Sequence, residues 1–282
     1  MKQKVIAITG ANRGLGLALA RRIATTDNSF TKVIICVRDV EKGKQVLENF
    51  YKEVKPRTEM DIAPLDMNNE DSMGAFCDLM KKDYGQIHAL INNAGILIKD
   101  SSITPEENLE KTASTNLFGV ISLSERFVQR DLIEKHGKIL GISSKLATSS
   151  FIKDEKLKKL ISEVDSTQNI NTAYLHMMNA IKSGNIGAMF VPKFPFAEYS
   201  VLKRLLSRYY GLLSQRHEIK ERDIFVATIC PGWCKTDMGG EMASNSVESG
   251  TDITYDLLNQ NIGATHPLQG KLIYAPNTGI DV

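Results

Sequence analysis

The sequence predicts an α/β fold: a parallel sheet of seven strands, doubly wound by helices on its two faces, within one domain spanning residues 1–282. Three observations carry that prediction. Short β-branched runs alternate with longer amphipathic stretches from the first residues onward, which is the rhythm of βαβ units. A glycine-rich turn at residues 10–16 joins the first such run directly to the first amphipathic stretch. The 282 residues are 42% hydrophobic and 24% charged, enough apolar material for a real core beneath a charged surface.

The first strand is Lys4-Val5-Ile6-Ala7-Ile8-Thr9, and the first helix follows over residues 14–25. Further strands are predicted at 32–37, 60–65, 87–91, 138–142, 224–229 and 271–274, with helices at 41–55, 70–84, 105–135, 198–217 and 247–259. One interval breaks the rhythm. Between the fifth strand and the helix opening at Glu198 lie about fifty residues that a plain β-to-α connection does not need. Leu157, Leu160, Ile161 and Val164 recur there at helical spacing, residues 173–181 suggest a second helix, and an apolar, aromatic run closes the interval at 189–196. Residues 147–197 are therefore expected to be a helical insertion carried by the single domain.

Charge narrows the function classes by exclusion. Thirty-five basic residues stand against 33 acidic ones, a net +2, which is too small to argue for a nucleic-acid or membrane-surface partner. No uninterrupted apolar run approaches membrane-spanning length, so a soluble cytoplasmic protein is expected. Cys36, Cys77, Cys230 and Cys234 are scattered and lack the paired spacing of a metal site, so they are expected to be reduced thiols with no bound metal.

The glycine turn is Thr9-Gly10-Ala11-Asn12-Arg13-Gly14-Leu15-Gly16. Glycines let the backbone pass close to a pyrophosphate, while the start of a helix supplies amide donors and a favourable dipole. Following a strand and opening a helix, the turn predicts a Rossmann-type dinucleotide site. The second strand selects the dinucleotide: a carboxylate at its end binds the ribose hydroxyls of NAD, and a guanidinium accepts the 2′-phosphate of NADP. This strand ends Cys36-Val37-Arg38-Asp39, with apolar Val37 where the acid of an NAD enzyme is expected. Arg38 and Arg13 favour NADP(H). Asp39 remains the competing carboxylate, although its place just before a helix suits an N-cap equally well.

Further along come Asn92-Asn93-Ala94-Gly95 at the end of the fourth strand, Asn116 in a helix, Ser143-Ser144 ending the fifth strand, and Tyr199 with Lys203 four residues on. The ordered set TGxxxGxG, NNAG, Asn, Ser-Ser and YxxxK resembles the short-chain dehydrogenase/reductase family over essentially the whole chain. Cys230-Pro231-Gly232-Trp233 with Thr236-Asp237 is similar to the segment that follows the sixth strand of that family. Within it, the long gap between Ser144 and Tyr199 and the Pro-Gly-Trp segment most resemble the cytosolic NADPH carbonyl reductases.

The chemistry of carbonyl reduction needs these residue types. Hydride delivered to a carbonyl carbon leaves an alkoxide that a nearby acid must protonate. A free tyrosine has a pKa of about 10, and a lysine ammonium beside it favours the phenolate. Tyr199 and Lys203 lie one helical turn apart on one face. Tyr199 is thus expected to be the proton donor, Lys203 its electrostatic partner, and Ser144 the hydrogen-bond donor to the substrate oxygen. The resemblance also places Lys203 on the nicotinamide ribose and gives Asn116 a water linking Lys203 to solvent. It favours Ser144 over Ser143. It puts Asp66 near the adenine, Gly10, Asn12, Arg13, Gly14, Leu15, Gly16, Asn93, Ala94 and Gly95 along the cofactor, and Pro231, Gly232 and Thr236 in the segment that lines the pocket, with Thr236 at the carboxamide. The expected partner is a small-molecule carbonyl compound. Two alternatives remain open: a dehydrogenase oxidising a secondary alcohol with NADP, and an NADP(H)-binding sensor or scaffold without catalysis. A monomer is expected, because Arg204, Arg208 and Gln215 on the Tyr-bearing helix, and Ser122, Arg126, Gln129 and Arg130 on the earlier one, occupy the faces through which relatives assemble.

Overall fold

All seven expected strands form in the computed structural model, which describes residues 4–26, 29–192, 194, 196–275 and 278–280. They are β1 (Val5–Thr9), β2 (Lys32–Val37), β3 (Glu59–Pro64), β4 (Ile87–Asn92), β5 (Ile133–Ile142), β6 (Phe225–Ile229) and β7 (Leu272–Ala275). An eighth strand, β8 (Thr278–Ile280), pairs antiparallel with β7 and corrects the expected count of seven. Three residues centred on Gly279 are too short and too weakly β-branched to register as a strand by pattern. The sheet order is β3-β2-β1-β4-β5-β6-β7-β8, parallel up to β7.

Alternation along the strands divides the core in two. Val5 and Ala7 of β1 face one layer, and Ile6 and Ile8 face the other. The second layer holds α1 (Gly14–Thr25), α2 (Val40–Glu53) and α10 (Asp252–Asn259), through Leu19, Ile23, Leu47, Phe50 and Leu257. The first holds α3 (Glu70–Tyr84), α4 (Pro105–Ala113), α5 (Gly119–Gln129), α6 (Glu155–Ser162), α7 (Thr167–Lys182), α8 (Ala197–Ser214) and the short α9 (His217–Glu221). Single α/β domain is the architecture that results.

The helix expected over 105–135 is shorter and interrupted. Thr104 caps α4 with Pro105 in its first turn, and a single π-turn at Ser114–Phe118 then leads into α5. After Gln129 the chain reverses at Asp131 (φ 55) and β5 begins at Ile133, five residues ahead of the expected start. The register against β4 shifts between Ile87 and Ala89, so Glu134, Lys135, His136 and Gly137 pass through an irregularity. Those polar residues gave no strand signal.

Between β5 and α8 the chain forms α6, α7 and a 3-10 turn at Ile186–Met189. Lys193 and Pro195, within the expected apolar run, lie outside the described residues. The arginines expected to oppose assembly through these faces are engaged within the fold. Arg204 donates to the Ala147 carbonyl (3.3 Å), and Arg208 donates to the carbonyls of Ser162 and Val164 (both 3.0 Å). On the other helix, Arg126 pairs with Glu70 and Arg130 with Asp78, both on α3. Repulsion between bare arginines is therefore no longer an argument about assembly. Among the described residues no helix is long and apolar enough to cross a membrane, and no cluster of three metal-ligating side chains occurs.

Candidate active site

The sheet order places β1 beside β4, where successive connections turn to opposite sides and open a crevice at the carboxyl ends of the strands. Thr9, at the end of β1, closes the floor. Its hydroxyl oxygen accepts the N–H groups of Asn93 (3.0 Å) and Ala94 (2.9 Å), and Asn93 Nδ2 donates back to the Thr9 carbonyl (2.8 Å). The glycine turn packs onto this lattice. A Cβ at Gly16 would meet Asn93 Nδ2 at 2.5 Å, and Gly10 combines φ +64 with a Cα of Ala94 at 2.9 Å from any Cβ. Gly10, Gly16, Asn93 and Ala94 thus form one unit with Thr9, which belongs to the motif but to which the sequence assigned no role.

The start of α1 is prepared for an anion. Arg13 at its N-cap makes no side-chain cap, and no acid lies in the first turn, so the leading amides remain available. By contrast α2, α3 and α4 spend theirs on Asp39, Asn69 and Thr104. Asp39 is an N-cap: its Oδ1 accepts from Lys42 N at 3.1 Å, and that bond first of all holds its carboxyl below the usual range. Arg38 is exposed, and among the described residues its side chain has no hydrogen bond or ion pair. Arg13 instead pairs with Asp237 at 2.8 Å, across the crevice mouth. Leu15 and Cys234 both crowd Gly250, and Thr236 lies against Gly14, so the segment 231–236 walls the glycine turn. Asp66 sits half-buried after β3, where its Oδ1 accepts from Asn68 N at 2.9 Å. Asn12 is half-buried in the glycine turn, and Pro231 and the positive-φ Gly232 follow β6.

Lys203 and Tyr199 occupy the first two turns of α8, against the end of β5. Lys203 is 4% exposed, and its ammonium donates to the Ile142 carbonyl at 2.6 Å. Burial pulls its pKa down from 10.5 to about 8. Tyr199 is half-buried with its ring centroid 5.7 Å from the Lys203 nitrogen. Burial first, and the Cys230 thiol second, push the phenol well above its ordinary value. The lowering expected from Lys203 does not offset them, because the ammonium is turned to the Ile142 carbonyl. Tyr199 is therefore held protonated.

The two serines divide cleanly. Ser143 is buried, with its hydroxyl on Ser207 (2.9 Å) and the Lys203 carbonyl (3.2 Å). Ser144 is half-buried, and its Oγ accepts from Leu146 N at 3.1 Å, which leaves the hydroxyl proton to donate outward. Asn116, wholly buried in the π-turn, spends its side chain on Ile96: Oδ1 accepts from the N–H (2.8 Å) and Nδ2 donates to the carbonyl (2.7 Å). It braces the segment that follows Gly95.

Comparison with known proteins places the chain in a family. The family model described as short chain dehydrogenase matches residues 4–156. The chain belongs to the short-chain dehydrogenase family. It is 30% identical over 258 residues to carbonyl reductase (NADPH) 1 of Homo sapiens, covering 88% of each chain. Among solved structures, salutaridine reductase from Papaver somniferum superposes with a TM-score of 0.80 at 20% identity, covering 96% of this chain and 99% of that one. The NADPH-bound carbonyl reductase from chicken fatty liver gives 0.70 at 20% identity over 100% of both chains. For this short-chain dehydrogenase, then, the likeness to those structures concerns the fold, and the motif residues are its own.

Proposed function

We propose that this short-chain dehydrogenase reduces a ketone, aldehyde or quinone to the alcohol with NADPH, using Tyr199 as the acid. The observation that carries the reading is the buried Lys203 ammonium, bonded to the Ile142 carbonyl with the Tyr199 ring 5.7 Å away and Ser144 two residues further along the same strand end. The cofactor, when bound, supplies a hydride to the carbonyl carbon. Everything else falls to the chain. The uncapped start of α1 would receive the pyrophosphate, and the guanidinium of Arg38, without a partner among the described residues, would meet the 2′-phosphate. Ser144 donates a hydrogen bond to the carbonyl oxygen, steadying charge as it develops there. Tyr199 gives that oxygen its proton, and the Lys203 ammonium, bonded here to the Ile142 carbonyl, would turn toward the ring to stabilise the phenolate left behind. Relatives named carbonyl reductase support the substrate class. Residues 147–197 act as an appendage of the one domain, walling the Tyr199 side of the pocket.

Loss of NADPH absorbance against a panel of aromatic aldehydes, quinones, diketones and cyclic ketones tests the reading. Turnover of at least one class with NADPH, and little with NADH, is expected. No turnover of any carbonyl, with NADPH still binding, would return the chain to the sensor-or-scaffold alternative.

A further inference from the structure

Three hydroxyls lie buried behind the site in a row that no part of the reaction uses. Ser143 (3% exposed) follows Ile142 at the end of β5, Ser207 (0%) lies one turn beyond Lys203 on α8, and Thr228 (0%) is in β6. Thr228 Oγ1 donates to Ser207 Oγ at 3.1 Å, and Ser207 and Ser143 share a hydrogen bond at 2.9 Å. Both serines also reach the Lys203 carbonyl, Ser207 at 3.1 Å and Ser143 at 3.2 Å. Three protons serve these four contacts. Thr228 must donate to Ser207, and one of the two serines must then end the chain on the Lys203 carbonyl.

Lys203 is consequently gripped at both ends by adjacent residues at the end of β5. Ile142 holds its ammonium, and Ser143, with Ser207, holds its carbonyl. Ser143 is itself anchored to β6 by its N–H on the Ile229 carbonyl at 2.7 Å. Ser144 is the next residue in the chain. Any slip of α8 along β5 would thus break this row, and would move Tyr199 and Lys203 against Ser144.

We propose that Ser143, Ser207 and Thr228 are positioning residues that set the Tyr199–Lys203 turn of α8 against Ser144. The proposal rests on the catalytic reading given above. Hydroxyls suit the task better than apolar contacts because they fix distance and direction, and catalytic groups misplaced by about 1 Å lose on the order of a hundredfold in rate.

The test compares Ser207→Ala, the near-isosteric Thr228→Val and the conservative Ser207→Thr in the full chain, reading kcat, NADPH dissociation constant and the alkaline limb of the kcat–pH profile. Ser207→Ala is expected to lower kcat about tenfold to a hundredfold. Its NADPH affinity should stay within about twofold of the parent. Its alkaline limb should move, because loosened packing hydrates Tyr199 and Lys203, and Ser207→Thr should restore both rate and limb. A fall in melting temperature with kcat and the pH limb unchanged in Ser207→Ala and Thr228→Val would reduce the row to ordinary packing and overturn the proposal. Should Ser207→Ala not fold, the smaller change in Thr228→Val decides alone. If the parent turns over no carbonyl, the functional reading fails separately, and a crystal structure of Thr228→Val decides the positioning claim. Displacement of the Lys203 ammonium from the Ile142 carbonyl supports it, and an unmoved α8 turn overturns it.

Discussion

Lys203 is held in the fold against its own solvation. Its pKa of about 8, depressed from 10.5 by burial, means that the unfolded chain binds a proton more readily than the native one across that window. Stability from this group therefore rises as pH climbs from about 8 to 10.5, and the deficit is fully present below 8. The gap corresponds to roughly 3 kcal/mol. Lys203→Met should accordingly raise the melting temperature over the parent near pH 7, with the advantage shrinking steadily toward pH 10.5; an offset independent of pH would refute the strained ammonium. Arg38 belongs to the same scale. Its guanidinium is expected to contribute about 1.5–3 kcal/mol through the 2′-phosphate, so Arg38→Ala should raise the KM for NADPH tenfold or more and leave that for NADH nearly unchanged. Equal changes for both cofactors would show that Arg38 does not read the phosphate. The placement of Arg38 at a strand end and of Tyr199 and Lys203 one helical turn apart was legible in the sequence because that spacing is local. The role of Asp39, the division between Ser143 and Ser144, and the place of Thr9 were not, since each depends on which distant backbone group comes within hydrogen-bond reach.

At the level of elements, the end of α6 is fastened to α8 by arginine as well as by apolar contact. Arg208 reaches the carbonyls of Ser162 and Val164, just where α6 ends and its last carbonyls lack partners. Arg208→Ala should cost about 2 kcal/mol, seen as a lower melting temperature and faster proteolysis within residues 155–182. Unchanged protease resistance there would show that the fastening is idle. Helical spacing of Leu157, Leu160 and Ile161 made α6 legible, as alternating β-branched runs did for β1, β2, β4 and β6. The π-turn at Ser114–Phe118 was hidden because one extra residue in a turn leaves the hydrophobic pattern almost intact. Polar residues concealed the first half of β5, and a glycine concealed β8, whose pairing is a tertiary event.

For the molecule as a whole, engagement of the α8 arginines by residues 147–164 turns that face inward, and the chain is predicted to be a monomer in solution. Light scattering at micromolar concentration should return a mass near 31.3 kDa, and a stable dimer or tetramer would contradict it. The fold class and the crevice were readable in the sequence because the glycine turn, the strand-end asparagines and the Tyr-Lys pair fall in order on the elements that must carry them. The central claim is that Tyr199, kept protonated by its surroundings, delivers the proton that completes carbonyl reduction. The most direct measurement is Tyr199→Phe, with NADPH binding followed by fluorescence and turnover by absorbance on the best substrate of the parent. The account predicts NADPH affinity within about twofold of the parent and a kcat lowered by at least a hundredfold, the loss of a positioned general acid. Turnover near that of the parent, with the phenol gone, would contradict it.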